Sequence, residues 1–369
     1  MHARIAVLGG DGIGPEVTVE AVKVMDAIAR RHGHDFKYVT APVGGNSIDK
    51  FGTALNDDAM NLVLGSDAVL FGAVGGPKWD DPKAKVRPEQ GILRLRRELG
   101  LFANLRPVKV YPQLVDSSPI KPERLRGVDF IIIRELTGGL YFGKPKKRWT
   151  TTRGRRAVDT LLYTEQEISR VVRVGFELAC ARRKKLHSLD KMNVMETSRL
   201  WREVATEVGQ EYPDVQLVHM LADNAAMQIV NNPGVFDVIV TENTFGDILS
   251  DEAAVVGGSM GMLPSASLSS LPPANGKRPR RGGKPALYEP IHGSAPDIAG
   301  KGIANPIAAI LSAAMLMRWS FGLHEEADEI EKAVEGVLAE GYRTRDIAKP
   351  GERVMGTKQM GDLLAGRVT

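Results

Sequence analysis

Short runs of apolar residues alternate with helix-like patterns along most of the chain. Five runs have consecutive apolar residues, at positions 5–8, 68–73, 130–134, 215–219 and 236–241. Consecutive apolar positions are typical of strands that helices cover on both faces. The alternation of these strands with helices predicts the α/β fold class.

Local capping patterns indicate where several helices begin. Pro15 fits the first turn of a helix that follows the glycine-rich residues 9–14. Thr164 and Glu167 form a capping box in front of an apolar helical face. Asn305 and Pro306 fit a cap and a first helical proline, so we expect a helix over residues 307–319.

Length and composition favour a two-domain protein. The 369 residues exceed one ordinary domain by about a factor of two. Cys180 is the single cysteine, which argues against a disulfide framework or a cysteine-based zinc site; its apolar helical surroundings predict a packed thiol. The first residues do not resemble a signal peptide, and no apolar run reaches the ~18 residues of a membrane span. We therefore expect a cytoplasmic protein with no membrane partner.

Positive charge is concentrated in two clusters. The formal net charge is +4, and residues 144–156 and 277–284 are rich in lysine and arginine. Such clusters can mark contact with nucleic acid. Only Trp149 interrupts either cluster, so a stacking platform for bases is missing. We interpret both clusters as solvated loops, the second within a longer loop over residues 263–287, and expect no nucleic-acid partner.

Two glycine-rich segments resemble nucleotide-binding motifs but fail on spacing. After Gly10 and Gly12, Pro15 stands where the third glycine of the dinucleotide motif G-x-G-x-x-G belongs. In the segment that ends at residue 302, Gly302 replaces the serine or threonine of a P-loop. The sequence therefore predicts a tight turn at residues 9–15 but neither a standard Rossmann site nor a nucleoside-triphosphate site.

Acidic residues follow two of the predicted strands. Asp247 and Asp251 lie four residues apart after strand 236–241, so a helix would project both carboxylates from one face. A hard cation such as Mg²⁺ or Mn²⁺ would relieve their repulsion; two solvated acids are an equally weighted alternative. Asp223 follows strand 215–219 and either caps a helix or completes a three-carboxylate metal site. The positions at strand ends favour a site.

Cationic and phenolic residues form a further group of candidates. Arg134 ends a buried strand and needs an anion, which is either a bound carboxylate or the neighbouring Glu135. Tyr141 follows paired glycines that would let the backbone approach a ligand closely, and its phenol can exchange a proton. Lys191, between short apolar runs, is either a general base beside a metal ion or a solvated surface lysine.

Residues 288–306 form a long segment that is rich in glycine, alanine and proline and poor in bulky side chains. Such a loop can follow the backbone of a cofactor with its own N–H groups. His292, within this segment, would in isolation be read as a hydrogen-bonded loop histidine. The density of polar and small residues around it is nevertheless difficult to explain as a plain turn.

Taken together, these motifs resemble the β-decarboxylating dehydrogenase family of isopropylmalate, isocitrate, homoisocitrate and tartrate dehydrogenases. The resemblance spans nearly the whole chain, and its most specific parts are residues 134–139 (RELTGG), 246–251 (GDILSD) and 292–302 (HGSAPDIAGKG). It implies a two-domain fold with a mixed central sheet that differs from the Rossmann fold. It also implies a discontinuous cofactor-binding domain, 1–101 with 258–369, and an inserted substrate, metal and dimerisation domain, 102–257.

The resemblance also implies site residues, a cofactor and a metal. It implies a homodimer in which Lys191 and Asp223 reach the neighbour's site, with Mg²⁺ or Mn²⁺ on Asp223, Asp247 and Asp251. Arg96, Arg106 and Arg134, with Asp223, would bind the substrate, and Tyr141 and Lys191 would be catalytic. The residues implied for NAD binding are Glu289, His292, Gly293, Ser294, Ala295, Pro296, Asp297, Ile298 and Asn305.

Two segments refine the expected specificity within the family. The isopropylmalate enzymes of the family recognise the isopropyl group at the positions of Glu89, Ile92 and Leu93. The apolar Ile92 and Leu93 would leave the third carboxylate of a substrate such as isocitrate desolvated and unpaired, which is unfavourable. Asp297 and Ile298 resemble NAD-using members, because a carboxylate accepts the ribose 2′-hydroxyl and repels a 2′-phosphate.

The implied reaction is the oxidative decarboxylation of 3-isopropylmalate to 4-methyl-2-oxopentanoate, with NAD reduced, in leucine biosynthesis. Three alternatives stay open at this point. The substrate is a related malate, such as tartrate, malate or homoisocitrate; the chain is a non-catalytic regulatory subunit; or the basic clusters bind nucleic acid. Two departures from the family pattern are the longer basic loop at 272–284 and Glu242, to which the sequence assigns no role.

Overall fold

The computed structural model describes residues 1–271 and 283–368. The chain forms two compact units. Unit 1 contains Met1–Leu101, Val110–Pro119 and Gly257–Thr369, and unit 2 contains Phe102–Lys109 and Ile120–Val256. Most of the basic loop predicted at 272–284, and with it most of the cluster at 277–284, lies outside the described residues.

Val110–Pro119 belongs to unit 1, although the sequence analysis placed these residues in the inserted domain. Polar contacts hold this segment to the C-terminal part of unit 1. Ser117 donates a hydrogen bond to the carbonyl of Ile347 at 3.1 Å, and Lys349 pairs with Asp116 at 2.7 Å. The chain therefore returns briefly to unit 1 before it enters unit 2 again at Ile120.

Five main-sheet strands of unit 1 are hydrogen-bonded neighbours in the order β2-β1-β3-β12-β11. The pairs β1–β2, β1–β3 and β3–β12 are parallel, and β11–β12 is antiparallel. A short parallel pair, β13–β14, is separate. The strands are β1 (His2–Gly10), β2 (Asp35–Thr40), β3 (Ala68–Ala73), β11 (Pro264–Leu268), β12 (Ala286–Pro290), β13 (Arg343–Thr344) and β14 (Val354–Met355).

Five main-sheet strands of unit 2 are hydrogen-bonded neighbours in the order β4-β5-β10-β8-β9. Strands β5, β10, β8 and β9 are mutually parallel neighbours, and β4 is antiparallel to β5. A separate antiparallel hairpin joins β6 and β7. The strands are β4 (Ala103–Lys109), β5 (Asp129–Glu135), β6 (Lys147–Thr151), β7 (Gly154–Val158), β8 (Lys185–Asp190), β9 (Gln216–Leu221) and β10 (Val238–Thr241).

Helices connect the strands in both units. Unit 1 contains α1 (Gly14–His32), α2 (Gly45–Phe51), α3 (Asp57–Leu64), α4 (Glu89–Leu99), α10 (Ile307–Phe321), α11 (His324–Ala339) and α12 (Thr357–Arg367). Unit 2 contains α5 (Pro122–Leu125), α6 (Glu165–Cys180), α7 (Glu196–Gly209), α8 (Ala222–Asn231) and α9 (Asn243–Val256). The prediction of an α/β fold with a mixed sheet, distinct from a Rossmann sheet, is confirmed.

All five strand predictions are confirmed; the central residues of four of them are buried, whereas those of β9 are only partly buried. In β3 and β10 every residue is buried. The capping box at Thr164 is also confirmed: its hydroxyl accepts the N–H of Glu167, whose side chain accepts the N–H of Thr164. These strands and helix starts follow from local sequence alone because each is specified by adjacent residues.

Three local predictions are wrong. Cys180 is exposed at the end of α6, because it lies outside the buried face of that helix. The cluster at 144–156 is not a plain loop, because most of it forms the β6–β7 hairpin. Helix α10 begins at Ile307, as predicted, but Pro306 is the residue before it and not its first residue.

None of the helices in residues 1–271 and 283–368 is long and apolar enough to cross a membrane.

Candidate active site

The carboxyl ends of four parallel strands in unit 2 carry most of the predicted polar site residues. Arg134 lies at the end of β5, and Lys191 follows β8 directly. Asp223 and Asp247 lie on the helices that follow β9 and β10. Because parallel strands share their carboxyl edge, the fold brings these residues to one edge of the sheet, where ligands of α/β proteins bind.

Arg134 is anchored inside this edge. Its side chain is 3% exposed, and its Nη1 pairs with Asp247. Its Nε and Nη2 donate to Oδ1 of Asn243 at 3.0 and 2.8 Å. Gly246 lies against the same side chain, and a Cβ added there would come within 2.7 Å of Cγ of Arg134. The guanidinium is therefore fixed in orientation, as recognition of a carboxylate requires.

Tyr141 lies beside the same arginine. Its hydroxyl donates to Oδ2 of Asp247 at 2.8 Å, and the guanidinium carbon of Arg134 is 5.6 Å from its ring centre. Burial, followed by the hydrogen bond to Asp247, raises the pKa of Tyr141 to about 12. The phenol therefore keeps its proton at neutral pH and is a proton donor at this edge.

Asp247 and Asp251 lie on successive turns of α9, as the sequence predicted. Nη1 of Arg106 lies 3.4 Å from Oδ1 of Asp251, and Nη2 of Arg106 lies 3.9 Å from Oδ1 of Asp247. Partial desolvation raises the pKa of Asp251, although Arg106 opposes that shift. We call Arg106, Arg134, Tyr141, Asp247 and Asp251 the strand-end cluster.

Lys191 and Asp223 form a separate pair. Nζ of Lys191 lies 2.7 Å from Oδ1 of Asp223, and the hydrogen bond from Lys191 lowers the pKa of Asp223. Within residues 1–271 and 283–368, no group of three histidine, cysteine or acidic side chains is close enough to hold a metal ion. One copy of the chain thus does not assemble the three carboxylates that the sequence grouped as metal ligands.

Two features that the sequence analysis misinterpreted or left open, the paired glycines and Glu242, are explained by contacts with buried side chains. Gly138 and Gly139 are required by packing, because added Cβ atoms would come within 2.7 Å of the ring and 2.6 Å of the hydroxyl of Tyr163. Glu242 is buried, accepts the N–H of Phe245 at 2.6 Å and lies 3.5 Å from the Tyr163 hydroxyl. Burial raises the pKa of Glu242.

In unit 1 the predicted cofactor segment lines a cavity of about 700 Å³, which we call the loop cavity. This volume suits a small ligand or cofactor. Its lining includes the predicted residues His292, Ala295, Asp297, Ile298 and Asn305, together with Ile13, Ser259, Met260, Gly261, Lys301, Ile303, Ala304, Arg345 and Asp346. Gly293 and Pro296 are exposed, whereas Ser294 and Glu289 are buried.

Hydrogen bonds fix the wall of the loop cavity. Asn305 accepts the N–H of Ile307 at 2.9 Å through its side chain and donates to Oδ2 of Asp346 at 3.0 Å. Glu16, at the start of α1, accepts the N–H of Gly300 at 2.5 Å. Asp346 was missed by the sequence analysis because it lies far along the chain in a segment without a motif.

The glycine turn at residues 9–15 supports the loop cavity. The N–H of Ile13 donates to the carbonyl of Ser294 at 2.9 Å, and a Cβ at Gly12 would lie 2.0 Å from that oxygen. Burial lowers the pKa of His292, so its imidazole is neutral. Nε2 of His292 is a buried polar atom without a hydrogen-bond partner in the part of the chain that the structure describes.

Helix α4 carries the residues that were predicted to bind the substrate side chain. Glu89 is exposed, Leu93 is half-buried, and Ile92 is 7% exposed within the hydrophobic core of unit 1. Arg96, one turn after Leu93, donates through Nη2 to Oε1 of Glu289 at 3.1 Å. Of the two apolar candidates, Leu93 therefore has the more accessible side chain.

Comparisons with known proteins agree with this arrangement. Residues 4–364 match the family model described as isocitrate/isopropylmalate dehydrogenase. The 3-isopropylmalate dehydrogenase of Anaeromyxobacter dehalogenans (strain 2CP-C) is 57% identical over 368 residues, which cover 100% of both chains. That of Bacillus subtilis (strain 168) is 57% identical over 353 residues, 95% of this chain and 93% of its own.

Solved structures show the same fold. The isocitrate dehydrogenase from Methylococcus capsulatus has a TM-score of 0.85 and 34% identity and covers 100% of this chain and 99% of its own. A β-decarboxylating dehydrogenase from Thermococcus kodakarensis has a TM-score of 0.76 and 35% identity, with 99% and 96% coverage. This chain belongs to the isocitrate/isopropylmalate dehydrogenase family.

Proposed function

We propose that the chain is an NAD-dependent enzyme that oxidises and decarboxylates 3-isopropylmalate to 4-methyl-2-oxopentanoate, in leucine biosynthesis in the cytoplasm. The observation that carries this proposal is the strand-end cluster, in a chain 57% identical over its full length to a protein named for that activity. The cluster joins cations for substrate carboxylates, acids for a metal ion and a phenol that keeps its proton.

The donor set at the strand-end cluster fits a divalent ion. Asp247 and Asp251 present carboxylate oxygens from adjacent turns of α9, and Mg²⁺ and Mn²⁺ prefer such hard ligands. We propose that Asp223 of a second copy supplies the third carboxylate. When bound, the ion would act as a Lewis acid that acidifies the substrate hydroxyl and stabilises developing negative charge on the same oxygen.

The arginines would hold the substrate carboxylates. Arg106 and Arg134 are buried cations whose guanidinium groups are fixed by neighbouring side chains. We assign Arg96 the same role in unit 1, where its Nε is buried and has no hydrogen-bond partner among the described residues. Guanidinium groups bind carboxylates bidentately, which orients the substrate as well as attracting it.

Two residues would move protons. Lys191 would remove the proton of the substrate hydroxyl as hydride passes to NAD⁺, and its Nζ is already engaged with an acid, Asp223. Tyr141 would deliver a proton to carbon after CO₂ leaves. A phenol with a pKa of about 12 stays protonated until the more basic carbanionic centre forms beside it.

The loop cavity would hold NAD. Its lining combines apolar, polar and charged side chains, among them the neutral imidazole of His292. Asp297 is exposed at the cavity, where its carboxylate would accept the ribose 2′-hydroxyl and repel a 2′-phosphate. The side chain of Leu93, with Glu89 and Ile92 on the same helix, would recognise the isopropyl group.

We also propose a homodimer. Helices α8 and α9 pack together and expose four large apolar side chains, Met227, Val230, Ile248 and Val255, which are 44 to 62% exposed. Exposed large apolar side chains concentrated on two packed helices are typical of a protein interface. A second copy that covers it would account for the separation of Lys191 and Asp223 from the strand-end cluster, because each pair would serve the partner's site.

A mixing experiment tests the shared site. Lys191→Ala and Arg134→Gln variants, each inactive alone, are unfolded together and refolded as a mixture. If each site combines Arg134 of one copy with Lys191 of the other, half the dimers regain one site and about a quarter of wild-type activity returns. Mixtures that stay inactive would show that both residues act within one chain.

The activity itself is tested by a substrate panel. Purified protein is assayed for NADH with Mn²⁺, NAD⁺ and 3-isopropylmalate, malate, tartrate, homoisocitrate or isocitrate, and each assay is repeated with NADP⁺. We expect the highest kcat/KM with 3-isopropylmalate and NAD⁺. A preference for another substrate would reassign the enzyme within the family, and failure of every substrate would favour a non-catalytic subunit.

A further inference from the structure

Each arginine of the strand-end cluster donates a hydrogen bond from its Nε to the side-chain oxygen of an asparagine. Nε of Arg106 donates to Oδ1 of Asn104 at 2.6 Å. The two residues are two positions apart on β4, so their side chains leave the same face of the sheet. Asn104 is fully buried and Arg106 is 7% exposed. An uncharged oxygen therefore orients a buried cation.

Arg134 is held in the same way by Asn243, the first residue of α9. Oδ1 of Asn243 accepts from Nε and Nη2 of Arg134 at 3.0 and 2.8 Å. Asn243 is itself fixed, because its Nδ2 donates to the carbonyl of Gly138 at 3.0 Å and its N–H donates to the Tyr163 hydroxyl at 2.9 Å. It is 1% exposed.

Two arginines of unit 2 outside the cluster donate their Nε to a carboxylate instead. Nε of Arg182 donates to the buried carboxylate of Asp237 at 2.8 Å. Nε of Arg202 donates to the buried carboxylate of Asp190, also at 2.8 Å. A charge-assisted bond is roughly twice as strong as a neutral one, so an aspartate is the better support when only stability counts. In the strand-end cluster, Nε of both arginines donates to an uncharged amide oxygen, which is the weaker acceptor.

We propose that Asn104 and Asn243 are positioning residues that orient Arg106 and Arg134 without cancelling their charge, so that this charge binds the two carboxylates of the substrate. This inference rests on the proposed function. An aspartate in place of either asparagine would add a negative charge beside the guanidinium that is to bind a substrate carboxylate.

The test substitutes an isosteric acid for the amide. We expect both Asn243→Asp and Asn104→Asp to fold, with a lower melting temperature for Asn243→Asp, because an oxygen replaces the Nδ2 donor that bonds to the carbonyl of Gly138. The KM for 3-isopropylmalate should rise by about tenfold or more, because the added charge competes for the guanidinium. The KM for NAD⁺ should stay within about twofold, because the loop cavity does not contain these residues.

A binding experiment separates this inference from the proposed activity. Calorimetric titration with malonate, a plain dicarboxylate, in the presence of Mn²⁺ needs no turnover. Both Asn→Asp variants should bind malonate at least tenfold more weakly than the wild type, whether or not 3-isopropylmalate is the substrate. Asn243→Ala, which removes the support but adds no charge, should affect kcat as well as KM because Arg134 loses its orientation.

The control is Asp237→Asn, which changes the support of Arg182 in the same unit. It should lower the melting temperature and leave malonate binding and the KM for 3-isopropylmalate unchanged. The inference is overturned if Asn243→Asp and Asn104→Asp bind malonate as the wild type does. It is also overturned if their loss of affinity is accompanied by an equal loss for NAD⁺, since that pattern indicates a structural role alone.

Discussion

The strand-end cluster of unit 2 and the loop cavity of unit 1 are built in opposite ways. The cluster consists of four charged side chains and the phenol of Tyr141, with each acid in contact with an arginine. The cavity is lined by a mixture of apolar, polar and charged side chains, and its wall is held by hydrogen bonds to backbone groups that involve Asn305, Glu16 and Ile13. The cluster is therefore built on ion pairs, and the cavity on an ordered backbone wall.

This difference predicts how each site responds to mutation. Removing a charge from the cluster changes the strength of an electrostatic interaction in a partly desolvated place, where such interactions are strong. Removing a hydrogen bond from the loop cavity relaxes a backbone wall and costs only about 1 kcal/mol. Substitutions in the cluster, or in the pair of Lys191 and Asp223, should therefore alter kcat and metal affinity by larger factors. Substitutions in the loop cavity should alter the affinity for NAD⁺ by smaller factors.

The largest effect is expected at Lys191, whose proposed role is proton removal. Lys191→Ala should lower kcat by about a thousandfold, because a general base contributes about 10²- to 10⁴-fold. The KM for NAD⁺ should change little. Added methylamine should restore part of the rate, and steady-state assays with and without the amine measure both effects.

Lys121→Ala is the matched control for Lys191→Ala, since Lys121 is an exposed lysine of the same unit. It should have wild-type rates with and without methylamine. A Lys191→Ala variant that retains more than a tenth of the wild-type kcat would remove lysine from the mechanism.

The second effect concerns the acid pair of the cluster. Asp251→Asn should raise the Kd for Mn²⁺ by about ten- to a hundredfold, because one charged ligand becomes neutral. Calorimetric titration of Mn²⁺ measures this without turnover. The control is Glu252→Gln, which removes the charge of the next residue on α9. Equal Mn²⁺ affinity in Asp251→Asn and the wild type would exclude Asp251 as a ligand.

The same contrast explains which parts of the molecule the sequence could predict. The buried strands β3, β5 and β10 were predicted because their apolar residues are consecutive. Strand β2 was missed because its residues are only partly buried and alternate, and β4 because Pro107 interrupts it. The strand pattern is local, whereas the pairing of β4 with β5 depends on contacts between distant residues.

Individual site residues were predicted where their position in an element is informative. Arg134 was identified because a cation at the end of a buried strand requires an anion. Asn243 was missed, because an asparagine near the start of a helix is usually a cap. Gly138 and Gly139 were attributed to ligand approach, but the ring of Tyr163 requires them. Partners distant in sequence, such as Tyr163, cannot be inferred from neighbouring residues.

A smaller effect is expected at Asp297 in the loop cavity. Asp297→Asn removes the charge that would repel a 2′-phosphate, so the ratio of kcat/KM for NADP⁺ to that for NAD⁺ should rise about tenfold. Asp80→Asn, which removes another exposed carboxylate of unit 1 that does not line the cavity, should leave this ratio unchanged. An unchanged ratio in Asp297→Asn would place the determinant elsewhere.

The smallest effect is expected at Asn305, which fixes the wall of the loop cavity. Asn305→Ala removes the bond to the N–H of Ile307 and the bond to Asp346, and it should lower the free energy of unfolding by about 1 kcal/mol. The relaxed wall should raise the KM for NAD⁺ by about three- to tenfold. Thermal unfolding and NAD⁺ titration of the rate measure the two quantities.

Asn56→Ala separates the loss of a cap from the loss of the cavity wall. Asn56 caps α3 by accepting the N–H of Ala59 at 2.9 Å, and it does not line the loop cavity. Its loss should cost a similar free energy of unfolding without a change in the KM for NAD⁺. If both variants alter stability alike and neither alters the KM, Asn305 only supports α10. If the KM for NAD⁺ rises in Asn305→Ala and not in Asn56→Ala, the order of the backbone in this wall contributes to cofactor affinity.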